Sequence, residues 1–187
     1  SAMDRKIWDD FHADWDSLAL ECERMLATLR PRAHAEAPAQ EVDAEMITAD
    51  FTGHTRLAMV EQRVRQHFFR KAVLSGYRNR CCISGVSDAH LLVASHIVPW
   101  REDKANRLNP SNGLCLSAIH DKAFDHYLFS LSDDHRVLLS SALEETRDDF
   151  LRDVFHPIAD KQIELPERFI PQPAFVRTHR EIMLARN

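Results

Sequence analysis

A long polar loop between two short apolar runs constrains this chain more than any other feature. Leu91-Leu92-Val93-Ala94 reads as one short strand and Gly113-Leu114-Cys115-Leu116 as another. Between them, Pro99 to Ser111 is polar and without period, and a loop of about a dozen residues inside a compact domain is usually functional. A short helix from Ile119 to His126 is predicted to follow. His96 stands before the loop, Asn112 at its end and His120 just beyond. A neutral imidazole takes a proton from water near pH 7, so His96 suits a general base. A second imidazole on the facing helix suits a divalent metal, and an Asn at the loop's end can clamp the loop or orient the base. The three together would make a device for metal-assisted hydrolysis. With 11 His in the chain, spacing alone also admits the plainer reading of loop-capping polar residues.

The rest of the chain reads as helices with a few short strands. From Asp4 to about Arg30 the apolar residues, among them Trp8, Phe11 and Trp15, recur at steps of three and four, which predicts an amphipathic helix. Pro31 to Asp50 reads as a linker. A helix follows from Thr55 to Ser75, with Gly76 as its C′ residue. Beyond the loop region a hairpin is expected around Asp133-Asp134, then a helix from Leu143 to Val154, a short strand at Ile163 to Leu165, and a last helix from Pro173. These features divide the chain into residues 1–50, a helix and linker, and 51–187, the functional domain.

Hydrophobic residues make up 44% and charged residues 28%, a soluble globular mix. No apolar run reaches the ~20 residues of a membrane span, and no secretory signal is visible. The four Cys, Cys22, Cys81, Cys82 and Cys115, do not form a disulfide pattern, so a reducing, cytoplasmic setting is expected. The net charge of −5 argues against simple polyanion binding, but its distribution does not. Residues 1–50 carry −7, 51–110 carry +6 and 111–187 carry −4. A basic middle block can meet phosphate or can be a solvated helix face.

Several short motifs occur in order: Tyr77-Arg78-Asn79-Arg80-Cys81-Cys82-Ile83-Ser84-Gly85, then Ala94-Ser95-His96-Ile97-Val98-Pro99-Trp100, then Asn109-Pro110-Ser111-Asn112-Gly113-Leu114-Cys115-Leu116, then His120-Asp121-Lys122-Ala123-Phe124-Asp125. This series resembles the HNH endonuclease family, in the branch of predicted restriction endonucleases, over roughly residues 51–182. The resemblance implies an α+β fold: a ββα-metal (HNH, His-Me finger) core with flanking helices and a small C-terminal hairpin. It implies a DNA endonuclease that uses Mg²⁺ or Mn²⁺ and leaves a 5′ phosphate. His96 matches the general base, Asn112 the residue that holds the loop, and His120 the metal ligand.

Two departures bear on this. Ser95 stands where many members have a second metal ligand; Asp121 and Asp125 are nearby carboxylates that could help, with surface or helix-cap polarity as the alternative for both and the preferred reading for Asp121. The paired C-x-x-C corners of many members are reduced here to Cys81 with Ser84, Leu116 and Ile119, so no structural zinc is expected. Arg78, Arg80, Arg101, Lys104 and Arg107 are candidate phosphate contacts, with ordinary solvation as the alternative for each. DNA is the expected partner, and a homodimer through the amino-terminal helix is possible. The alternative to an enzyme is a non-catalytic nucleic-acid-binding module with the same fold; a nuclease toxin is a third reading.

Overall fold

The computed structural model describes residues 17, 18, 20–22, 25, 66–99, 101–103 and 105–186. The chain divides into two compact units, Ser1–Phe69 and Arg70–Asn187. Residues 17, 18, 20–22 and 25 are helical. The remainder of the expected helix 4–30, its Trp8, Phe11 and Trp15, the linker 31–50 and the dimer contact built on them lie outside the described residues.

A helix, α1, covers residues 66–76. Gly76 is not its C′ residue, as the sequence predicts, but its last helical one. A Cβ there would stand 3.4 Å from the Arg168 carbonyl oxygen and 3.7 Å from the Pro166 Cβ, so Gly76 marks a close approach of chain segments. The left-handed positions fall instead on Arg78 and Asn79, both at φ 53°. The Asn79 amide closes the turn on the Leu74 carbonyl at 2.8 Å.

Strand β1 (Leu92–His96) pairs antiparallel with β2 (Gly113–Ser117), from Leu92 opposite Ser117 to His96 opposite Gly113. Every residue of β2 is buried, which explains its unbroken small and apolar run. Helix α2 (Ala118–Asp125) begins on the next residue, with Ser117 as its N-cap. It ends at Tyr127, φ 58°, where the Leu128 amide reaches back to the Ala123 carbonyl at 2.9 Å. The hairpin β3 (Phe129–Leu131) and β4 (Val137–Leu139) follows.

The predicted helix 143–154 is two helices, α3 (Ser141–Glu144) and α4 (Asp149–Phe155). Asp148 interrupts it, because its side chain accepts the Leu151 amide at 2.9 Å and starts a new helix. The predicted strand 163–165 is reduced to one isolated bridge, Arg136 to Gln162. Helix α5 (Pro173–Arg186) lies where expected. The mixture of helix and strand makes the fold α+β. None of its described helices is long and apolar enough to cross a membrane.

The core under α2 is aromatic. Phe124, Phe129 and Phe155 are each at most 1% exposed, and burying such a ring contributes roughly 2–3 kcal/mol. Helix α5 covers β3 with Val176, His179 and Met183. The His179 ring lies flat on Phe124, centroids 3.7 Å apart, and Nε2 donates to the Phe124 carbonyl at 3.1 Å. Its Nδ1 pairs with the Ser130 hydroxyl at 2.9 Å.

Burial pushes His179 from 6.5 down to about 4. Above pH 6.5 the ring is neutral in both folded and unfolded chains. Between 6.5 and 4 only the unfolded chain takes up a proton, so stability falls with falling pH, by roughly 3 kcal/mol in all. Below that range this group contributes no further loss. His179→Gln should flatten this part of the melting-temperature curve; an unchanged slope would place the titrating group elsewhere.

Candidate active site

The loop after β1 is tied back by Asn112, which is 1% exposed. Its Oδ1 accepts from the Val98 amide at 2.8 Å and its Nδ2 donates to the Val98 carbonyl at 3.1 Å. The Ile97 amide donates to the Asn112 carbonyl at 2.9 Å. One carboxamide thereby satisfies both backbone groups of a buried loop residue, which would otherwise cost about 1–3 kcal/mol each. This places the two ends of the loop side by side, with His96 next to the tied residues.

His96 is half-buried at the end of β1, and its Nε2 donates to the Arg107 carbonyl at 2.9 Å. Burial pushes it down to about 4, against the opposing effect of that carbonyl. The ring is therefore neutral near pH 7, with its proton on Nε2 and its basic lone pair on Nδ1.

His120 is placed differently from the sequence expectation. It is 4% exposed, with Phe155 and Phe129 edge-on at centroid distances of 5.6 and 6.5 Å. Nδ1 meets the Ser117 hydroxyl at 2.7 Å and the Cys81 sulfur at 3.9 Å, and Nε2 is buried without a hydrogen-bond partner. The expected metal ligand is thus a core residue with one nitrogen already engaged.

The reduced corner is also one residue out of the expected register. Ser84, Ser117 and His120, not Leu116 and Ile119, accompany Cys81. Leu116 is fully buried and Ile119 is exposed. Burial would push the Cys81 thiol up; hydrogen bonds from His120, Ser84 and the Ile83 amide outweigh it and bring it down to about 6. Burial instead pushes Cys82 up and Cys115 up to about 12, as fits thiols in the core.

Asp121, the next residue on α2, faces β1. Ser95 is 3% exposed, and its hydroxyl makes no hydrogen bond of good geometry, yet it lies close enough to the Asp121 carboxylate to favour the charge. Burial first, then repulsion from Asp125, push Asp121 up to about 6 against Ser95 and Lys122. Asp125 lies one helical turn along the same side. Two carboxylates and a hydroxyl are hard oxygen donors, the set that suits Mg²⁺ or Mn²⁺. Among the described residues no three His, Cys, Asp or Glu side chains converge, so any ion here would keep much of its water.

A family model described as HNH endonuclease matches residues 81–132. The match spans β1, the loop, β2, α2 and β3, and so contains His96, Asn112, His120, Asp121 and Asp125. It connects this stretch with nuclease chemistry in general, and with a family whose members use divalent metals and act on DNA. No curated protein matches the chain.

The basic candidates are dispersed. Arg78 is paired with Glu167, Nε to Oε1 at 2.6 Å, across an exposed surface. Arg80 and Arg101 are exposed, and Arg107 is half-buried beside the carbonyl that holds His96. Lys104 lies outside the described residues. Arg70, on α1, donates to the Leu92 carbonyl at 2.9 Å and the Ala89 carbonyl at 3.3 Å. It is a cap for the start of β1.

Proposed function

We propose that residues 51–187 form a metal-dependent DNA endonuclease with a ββα-metal core, residues 1–50 being an appended arm. One observation carries this reading: His96, neutral and anchored through Nε2, follows in sequence the buried Ser95 that faces Asp121. A base and an oxygen-donor cluster then occupy the end of one strand and the start of the helix after its partner. Restriction of foreign DNA is the role toward which the motif resemblance points.

In this reading His96 Nδ1 takes a proton from water, and the oxygen attacks phosphorus. The bond from phosphorus to the 3′ oxygen breaks, leaving a 5′ phosphate and a 3′ oxygen that takes a proton from solvent water to become the hydroxyl. Asn112 holds the loop so that His96 meets the scissile phosphate without rearrangement. Asp121 and Asp125, with the Ser95 hydroxyl, would hold the cation in place of His120. When bound, a divalent ion there supplies positive charge for the scissile phosphate and the departing oxygen. Arg80, Arg101 and Arg107 are the arginines assigned to neighbouring phosphates, so binding should weaken steeply with salt.

Incubation with supercoiled plasmid and Mg²⁺ or Mn²⁺ tests the proposal. Nicked and linear products that disappear with chelator are the expected result. Binding without any cleavage at either metal would leave a non-catalytic nucleic-acid module as the function.

A further inference from the structure

Polar residues recur at every third position through the loop: Asp103, Asn106, Asn109 and Asn112. Hydrogen bonds join them into a ladder. Asn106 Nδ2 donates to Asp103 Oδ2 at 2.6 Å, and Asn109 Nδ2 donates to Asn106 Oδ1 at 3.3 Å. The backbone keeps the same step. The Asn109 amide donates to the Asn106 carbonyl at 3.2 Å, and the Asn112 amide to the Asn109 carbonyl at 2.9 Å. Hydrogen bonds of this span bring side chains three apart into line, which is why the residue spacing matters.

Both ends of the ladder are fixed. Asp103 Oδ1 accepts from the amides of Ala105 and Asn106, both at 3.1 Å. Asn109 Oδ1 accepts from the Ser111 amide at 3.0 Å, and Asn112 grips Val98 on both sides. Arg107 lies between the two middle rungs, and its carbonyl takes the His96 Nε2 proton.

The direction of that carbonyl decides the state of His96. With the carbonyl at Nε2, the proton stays there and Nδ1 is left basic. If the loop relaxes, the Nε2 proton loses this acceptor, and in the tautomer with the proton on Nδ1 that nitrogen cannot accept one from water. An irregular loop keeps one carbonyl aimed only if enough bonds offset its conformational entropy.

We propose that Asp103, Asn106 and Asn109 are positioning residues for His96, aiming the Arg107 carbonyl and so selecting the tautomer. This rests on the reading of His96 as the base. The test uses the full chain labelled with ¹⁵N, with long-range ¹H–¹⁵N spectra reporting which ring nitrogen of His96 carries the proton, alongside plasmid cleavage.

Wild type should show the Nε2–H form. Asn106→Ala should show a mixture of tautomers, with kcat lowered roughly 10- to 100-fold and KM changed by no more than about threefold. Asp103→Asn has one oxygen where the ladder uses two, so it should also give mixed tautomers and a lowered rate. If Asn106→Ala does not fold, Asn106→Ser replaces it, since serine is too short to reach both rungs. A pure Nε2–H spectrum in the folded Asn106 variant would overturn the proposal. Should wild type cut no DNA, the nuclease reading falls, and the spectra still decide the ladder's role.

Discussion

His96→Ala should lower DNA cleavage by at least ~10²-fold, the usual contribution of a positioned general base. DNA binding should stay close to wild type, because phosphate affinity rests on the arginines. The fold should survive as well. His96 is half-buried at a strand end, where its Nε2 bonds the Arg107 carbonyl. Its loss leaves room for water at that carbonyl. Cleavage assayed at saturating metal, with binding followed by anisotropy, separates the two effects. Cutting at the wild-type rate would remove His96 from the chemistry.

Asp121→Asn should have two consequences of opposite kind. Cleavage should fall by ~10³-fold or more, since charge stabilisation by a bound ion supplies several kcal/mol. The metal-free protein should become more stable at pH 7.5. Asp121 sits at about 6 in the folded chain against 3.8 for an ordinary Asp. Below 3.8 it is protonated in both states. Between the two values the unfolded chain gives up its proton and the folded chain keeps it, so stability declines as pH rises; above 6 the full penalty is present. That penalty is on the order of 2 kcal/mol, and the neutral amide escapes it. Melting in EDTA should show the gain. Mn²⁺ should raise the melting temperature of wild type and leave that of Asp121→Asn unmoved. A variant that melts lower in EDTA and still responds to Mn²⁺ would place the cation elsewhere. His120→Ala should behave differently again, losing stability at every metal concentration because it empties an aromatic cage.

The strand, loop, strand and helix around the site were legible because each apolar run is short and bounded by polar punctuation. The phase of α2 was not legible. Periodicity over eight residues fixes which positions share a face but not which face meets β1, so the letters do not show that Asp121 lies by Ser95 while His120 enters the core. The break at Asp148 had a signal in hindsight, a capping Asp before an apolar residue, but the surrounding period ran through it. Gly76 misled because its need for space comes from residues 166–168, remote in sequence. The asparagine spacing of three was present in the letters, yet a polar loop offers no apolar stripe against which to notice it.

Ser117 ends β2, begins α2, and spends its hydroxyl on His120 rather than on the helix's own amides. It therefore acts as a key that sets how far the helix is turned about its axis. Neighbouring helical residues point about 100° apart. Removing one residue at this joint would rotate the Asp121 carboxylate into the cage of Phe129 and Phe155, and adding one would swing the His120 imidazole out toward Ser95. Substitutions at the joint are survivable in a way that changes of length are not. Among related chains, the count of residues from Asn112 to the carboxylate should be guarded more closely than the letters in between.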